Sequence, residues 1–231
     1  MVASTRQEHA GSAYPSRAKT LRSGEIQIVR DDLSGLLAHD LKTPLAAIAM
    51  NLDFALSELA PETPEGLRAA LFDCRQANAR AIRIVSDMAD AVRLLVGERR
   101  PVLADISLGR TVEGVVERAL EDADGRSVRI VSSVDETLVR ADAELLARAL
   151  DRLVERALRH ARASSHVSID QCSGSVAIHV PTMADGSAEL GARTLATYFA
   201  EAAVRAQGGT VWTDTDVVGD LVYRVAVPRA S

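Results

Sequence analysis

The sequence predicts an α+β fold: a helical hairpin that forms a dimeric four-helix bundle, followed by an α/β sandwich. Apolar residues recur three and four positions apart over two long segments before residue 97. After residue 102, helical and alternating segments follow one another. The chain is 47% hydrophobic but only 3% aromatic, a balance that favours helix-rich packing.

Composition excludes several classes of protein. The 231 residues carry 27 basic and 32 acidic side chains, a net charge of −5, and no basic patch, so no nucleic-acid partner is expected. Cys74 and Cys172 lack metal-ligand spacing, which favours a reduced, cytoplasmic setting and no metal site. No apolar run approaches the roughly 18–20 residues of a membrane span. We therefore expect a cytoplasmic protein without a membrane span.

The first predicted helix follows a polar, flexible tail over residues 1–27 and runs from about residue 28 to 59. Pro44 removes a backbone donor and is expected to kink this helix just after His39. His39 and Thr43 fall on the side opposite the apolar stripe. That stripe contains Leu33, Leu37, Leu41, Leu45, Ile48, Leu52, Leu56 and Leu59.

A second helix is predicted from about Pro64 to Val96, after a Pro- and Gly-containing turn. Its apolar residues form a heptad-like seam, and a single hairpin cannot cover both of its seams. We therefore expect residues 28–97 to form a homodimeric four-helix bundle. Asn78 lies in the seam, either as a tolerated polar residue or as a contact that sets the register of the helices.

Residues 97–101 mark a boundary, and residues 102–231 are predicted to form an α/β sandwich with a mostly antiparallel sheet on one side and three helices on the other. Ser107 is a candidate N-cap for a helix that ends near Asp122. Further helices are predicted over 142–162 and 192–206, the last ending at Gly208-Gly209. Strands are predicted over 127–132, 137–140, 166–171, 175–180, 210–214 and 221–227.

The segment His39-Asp-Leu-Lys-Thr-Pro-Leu45 resembles the H-box of sensor histidine kinases, in which a histidine on the first helix of a dimeric hairpin accepts phosphate. The resemblance implies that His39 is the phosphoacceptor and Asp40 the acid/base that polarises its ring. It also implies that Lys42 stabilises phosphoryl charge and that Thr43 orients water if the protein removes phosphate from a partner. Imidazole suits this role because it is nucleophilic near neutral pH. The alternative is that His39 is an ordinary exposed helical histidine.

Residues 102–231 resemble the ATP-binding domain of the same family in element order, but the nucleotide motifs differ. The stretch Arg152-Leu-Val-Glu-Arg-Ala-Leu158 matches the family's N-box, with Arg152 and Arg156 in place of two asparagines that lie near magnesium and phosphates. A guanidinium offers no lone pair and repels Mg²⁺, which binds oxygen ligands.

Two further nucleotide motifs are also altered. Thr182 stands where the family has an aspartate that binds the adenine amino group, and Gly191 alone remains of a Gly-x-Gly-Leu loop. Only residues 183–190 are left for the lid that lies between these motifs. We therefore expect that binding of ATP and Mg²⁺ is lost and that the protein has no cofactor.

These observations predict a histidine phosphotransfer protein of a two-component phosphorelay, which exchanges phosphate between His39 and response-regulator aspartates without using ATP. The expected partners are receiver domains, docked on the exposed side of the first helix and on the turn-distal part of the second. One alternative is a non-catalytic pseudo-histidine kinase that regulates by binding receivers or kinases. The other is an ATP-dependent sensor histidine kinase with an unusual nucleotide site.

Overall fold

The structure is a computed structural model that describes residues 41–172, 175–182 and 194–230. Helix α1 occupies residues 41–57 of this part, and α2 runs from Glu65 to Val96. The two helices are antiparallel, since Leu45 lies opposite Asn78 and Asp53 lies opposite Arg75. The predicted hairpin is confirmed. None of the described helices is both long and apolar enough to cross a bilayer.

Asn78 joins the two helices of the hairpin. Its side chain is buried, and its Nδ2 donates a hydrogen bond of 2.9 Å to the backbone oxygen of Leu45. A buried amide needs such a partner. Asn78 therefore makes a buried contact between the two helices, and its role in setting their register stays a prediction. The acceptor follows Pro44 directly, so the contact joins α2 to the segment where the sequence predicts a kink.

The second part of the chain is a mixed α/β domain. It contains β1 (Ala104–Ser107), α3 (Leu108–Gly125), β2 (Arg129–Ser133), β3 (Leu138–Ala141), α4 (Ala143–His160), β4 (His166–Cys172), β5 (Ser175–Val180), α5 (Leu195–Ala206), β6 (Thr210–Thr215) and β7 (Leu221–Ala226). The main sheet has the strand order β2-β4-β5-β7-β6, in which only β2 and β4 pair in parallel.

The predicted helix starts follow from side-chain caps. The Ser107 hydroxyl accepts a hydrogen bond from the Arg110 backbone N–H, and the Asp142 carboxylate accepts one from Leu145 N–H, so α3 and α4 begin at the next residue in each case. Strand β1 was not predicted. It is four residues long, half of them exposed, and it pairs with β3 in a separate two-stranded sheet whose register no local pattern specifies.

The hydrophobic core lies between the main sheet and helices α3, α4 and α5. Helix α4 contributes the most continuous buried face, because its apolar residues repeat at helical spacing from Leu145 to Leu158. Ala91 and Leu94, in the last turns of α2, belong to the same buried cluster. The end of the hairpin is thus packed into the core of the α/β domain, across the predicted boundary at residues 97–101.

Replacing Gly209 by alanine should destabilise the fold. A Cβ there would lie 2.3 Å from the Ala226 backbone oxygen and 2.7 Å from Val204 Cγ1, between α5 and β7. Forcing an added carbon into a packed site costs about 1–3 kcal/mol, so the urea midpoint should fall. Gly66→Ala is the matched control. A Cβ at this position of α2 would have no neighbouring atom within 4 Å. The Gly66→Ala variant should therefore be as stable as the wild type or more stable by up to about 1 kcal/mol.

The Asn78 contact predicts a strong effect of an isosteric change. Asn78→Asp replaces the donor NH₂ by an oxygen that faces the Leu45 carbonyl, so a buried acceptor pair is left unsatisfied. The free energy of unfolding should fall by about 1–3 kcal/mol at pH 7 in urea titrations. Asn51→Asp, at an exposed position of α1, is the control and should change stability by less than about 0.5 kcal/mol. Equal effects of the two changes would contradict the assigned role of Asn78.

Candidate functional site

The H-box lies on α1. Lys42 and Thr43 are exposed at the start of the described part of this helix, with Pro44 directly after them. Their exposure fits groups that meet a partner protein. His39 and Asp40 lie outside the described residues, so their geometry relative to Lys42 and Thr43 stays a prediction.

Arg152, at the first N-box position, is bonded to the hairpin. Its Nε–H donates to Oδ2 of Asp87 on α2, and its Nη1 lies 3.3 Å from Oε2 of Glu155 one turn further along α4. The Arg152 side chain is only 15% exposed. The guanidinium therefore points from the α/β domain towards α2.

Asp87 has a second arginine partner on α4. Arg148 donates from Nη2 to Oδ1 of Asp87 at 2.8 Å, and its Nη1 lies 2.8 Å from Oδ2 of Asp90. Burial alone would lower the pKa of Arg148, but its hydrogen bonds to Asp87 and Asp90 outweigh burial and raise it. Burial would likewise raise the pKa of Asp90, yet the bonds and charges of Arg148 and Arg99 hold it below its usual value. Both groups stay charged near neutral pH.

Arg156, at the second N-box position, points into the interior. It is 8% exposed, and its Nε donates a hydrogen bond of 2.8 Å to the hydroxyl of Tyr223, a fully buried residue of β7. Burial raises the pKa of Tyr223, while the charge and hydrogen bond of Arg156 oppose that rise. The pair places a positive charge between α4 and the main sheet.

Thr182, at the position of the family's adenine-binding aspartate, follows β5 and is buried. Its backbone N–H donates a hydrogen bond of 3.0 Å to Oδ1 of Asp220, at the end of the turn between β6 and β7. Gly191 and residues 183–190 lie outside the described residues. Thr182 and Arg156 thus sit on the same domain as Arg152, but the three side chains have different surroundings.

The side chains of Arg152 and Arg156 offer no oxygen ligand for a magnesium ion. The carboxylates beside them, Asp87 and Glu155, already pair with arginines. Within the described ranges, no group of three or more His, Cys, Asp or Glu residues is placed to hold a metal. A surface cavity of about 370 Å³ lies elsewhere, at the ends of α3 and α4, and shares no residue with these positions. Loss of ATP and Mg²⁺ binding stays a prediction.

The sequence reasoning did not identify Asp87, Asp90 and Arg148. One signal was present: two acids three apart on α2, and two arginines four apart on α4, form one charged face on each helix. The structure limits the expected docking surface on the turn-distal part of α2. The side that carries Asp87, Ala91 and Leu94 is covered by α4 and α5, so only the remaining side could meet a receiver, and that docking stays a prediction.

Comparison with known proteins identifies the hairpin. Residues 29–95 match the family described as the His Kinase A (phospho-acceptor) domain. Sensor protein DivL of Caulobacter vibrioides is 30% identical over 160 residues, which cover 68% of this chain and 20% of DivL. Sensor protein IrlS of Burkholderia pseudomallei is 32% identical over 161 residues, which cover 68% of this chain and 33% of IrlS. The chain therefore spans a fifth to a third of these relatives.

Solved structures show the same fold for the two parts together. Full-length ShkA, solved in complex with AMPPNP, superposes on this chain with a TM-score of 0.63 at 18% identity. The superposed region covers 87% of this chain and 46% of ShkA. The Acinetobacter baumannii histidine kinase AdeS gives a TM-score of 0.56 at 15% identity and covers 84% of this chain. At these identities the likeness concerns the fold. The His Kinase A match and the sensor relatives together indicate a histidine kinase-like protein of two-component signalling.

Proposed function

We propose that this protein is a histidine phosphotransfer protein, which exchanges phosphate between His39 and response-regulator aspartates without using ATP. The observation that carries the proposal is that both N-box arginines are hydrogen-bonded to other side chains of the protein. Arg152 is bonded to Asp87 of α2, and Arg156 is bonded to buried Tyr223. Such a domain would stabilise the hairpin that carries the H-box and would not transfer phosphate from ATP to His39.

The charge of these arginines is the physical argument against ATP-dependent loading. Transfer of a γ-phosphoryl group normally uses a metal ion to neutralise the developing charge. Mg²⁺ requires oxygen ligands, and the guanidiniums of Arg152 and Arg156 supply none and repel the ion. Displacing Arg152 would leave Asp87, which is 5% exposed, with one partner fewer.

Phosphate would instead come from an aspartyl phosphate of a receiver domain. An imidazole nitrogen of His39 attacks the phosphorus, a P–N bond forms, and the bond between phosphorus and the carboxylate oxygen breaks. The aspartate leaves as a carboxylate, and Asp40 takes the role of the base that holds the ring proton. The reverse sequence passes the phosphoryl group to a second receiver. Lys42, an exposed residue of the H-box, would stabilise the phosphoryl charge.

The apolar surface of the hairpin supports homodimerisation. Several large apolar side chains of α1 and α2 are exposed in the single chain, far more than scattered surface residues would give. A second hairpin packed in a four-helix bundle would cover them. They are Leu41, Ile48, Met50, Phe54, Leu67, Phe72 and Ile84.

Replacing His39 by alanine should abolish phosphate transfer. Wild-type protein incubated with a phosphorylated receiver should become labelled, and the label should be stable to base and labile to acid, as a phosphoramidate is. His39→Ala should show background labelling, and Asp40→Asn should transfer about 100-fold more slowly or worse, the usual effect of losing an acid/base group. Radiolabel transfer, followed with time, measures both.

His166→Ala is the matched control for that experiment. His166 is exposed at the start of β4, on the α/β domain, and its loss should leave labelling unchanged. Transfer that survives in His39→Ala, or an absence of transfer from every phosphorylated receiver that binds the wild type, would favour a protein that acts by binding alone.

Mg-ATP should neither label nor stabilise the wild-type protein. A ligand at 100 times its Kd raises stability by about 2.7 kcal/mol, so ATP at about 1 mM would shift the melting temperature measurably for any Kd below about 10 μM. We expect no shift in differential scanning fluorimetry and no label at His39 from γ-labelled ATP. An active sensor kinase is the positive control. ATP-dependent labelling that is lost in His39→Ala would show instead that the chain is an autokinase.

A further inference from the structure

Four arginines and four acids form a continuous set of ion pairs along α2 and α4, which we call the α2–α4 ion-pair network. Its centre is Asp87, which pairs with Arg148 and Arg152. Its members are Arg83, Asp87, Asp90, Arg99, Glu144, Arg148, Arg152 and Glu155. The charges of the eight residues sum to zero, so the network is balanced without any further ion.

The network extends to both ends of the contact. Towards the hairpin turn, Arg83 Nη2 on α2 lies 3.1 Å from Oε1 of Glu155 on α4. At the other end, Arg99, in the segment that links the two parts, lies 2.8 Å from Asp90 and 3.4 Å from Glu144. The segment between α2 and β1 is therefore ion-paired to both α2 and α4.

Apolar contacts accompany the ion pairs. Ala91 and Leu94 of α2 are buried in the core of the α/β domain. The Arg148 guanidinium lies 4.8 Å from the centre of the Phe199 ring on α5. This side chain of α4 therefore contacts both α2 and α5. Asp87 is nearly buried, and a carboxylate withdrawn from water is stable only while its partners stay in place.

We infer that the α2–α4 ion-pair network holds the α/β domain in one fixed orientation on the hairpin, with Arg148 and Arg152 as positioning residues. A domain that delivers phosphate from ATP has to approach the acceptor histidine and withdraw from it. Here, any such movement would separate Asp87 from both of its guanidinium partners and expose Ala91 and Leu94. The domain therefore acts as a fixed support for the hairpin. The extension to phosphotransfer, that exchange at His39 needs no domain movement, rests on the proposed function.

Asp87→Asn tests the fixed orientation without any assay of phosphotransfer. An uncharged amide cannot pair with two guanidiniums, so the domain should separate more often from α2. Trypsin cleavage after Arg99 then reports the open fraction, because cleavage of a briefly opened site follows its population. We expect this cleavage to become on the order of tenfold faster, while cleavage after Arg129 in β2 changes by less than about twofold.

Asp151→Asn is the matched control, because Asp151 lies on α4 but pairs with Arg118 of α3 inside the α/β domain. It should leave cleavage after Arg99 within about twofold of the wild type. An unchanged rate in Asp87→Asn, or equal acceleration after Arg99 and Arg129 in a variant that keeps the wild-type circular dichroism, would overturn the inference.

A cross-linking experiment covers the case in which Asp87→Asn fails to fold. Arg83→Cys and Glu155→Cys, in a chain with Cys74→Ser and Cys172→Ser, place two thiols across the contact for a short bis-maleimide linker. The linked protein should exchange phosphate with receivers at the rate of the unlinked double-cysteine protein. Loss of exchange only after linking would show that the domain must move. Absence of exchange before linking would instead contradict the proposed function. The fixed orientation is then tested by trypsin cleavage after Arg99 in the same double-cysteine protein, which should be equally fast before and after linking; cleavage that linking slows strongly would overturn the inference.

Discussion

The buried carboxylate of Asp87 is the constraint on which the arrangement of the two parts depends. Taking an ionised carboxylate out of water costs several kcal/mol unless cationic hydrogen-bond donors replace the water. Arg148 and Arg152 are those donors, one turn apart on α4. Because both must reach the same carboxylate, α2 and α4 have to face each other along this stretch. The same contact turns the first N-box position away from the α/β domain.

Periodicity predicted the helices and strands well, because the side buried by a helix or strand follows directly from the spacing of its apolar residues. The apolar face of α4 is an example. The cap at Ser107 was predicted from its residue type instead. Strand β1 was missed because its residues pair with β3 residues 31 to 37 positions away and its four residues carry no strong alternation. The contact of α2 with α4 was missed for the same reason, since Asp87 and Arg152 are 65 positions apart.

The candidate site was predictable in its chemistry but not in its geometry. That Arg152 and Arg156 are unsuited to magnesium follows from the guanidinium group itself. Their partners do not follow from it, because an arginine at the same position can bind a phosphate, a carboxylate or a phenol. In the structure one arginine reaches out to α2 and the other reaches in to Tyr223. Neighbours in one motif, four residues apart, thus serve two separate contacts.

A domain proposed to have lost its nucleotide still has a physical reason to keep its fold. Without it, the last turns of α2 would expose Ala91 and Leu94, and Asp87 would lose both arginines. Helix α2 also carries Asn78, whose side chain is hydrogen-bonded to Leu45 of α1, next to Pro44 in the H-box. The stability of the α/β domain is therefore transmitted through one helix to the segment that carries the phosphoacceptor motif. A need to hold that motif in place would suffice to preserve the core, the caps and the ion pairs, Arg152 at the first N-box position included.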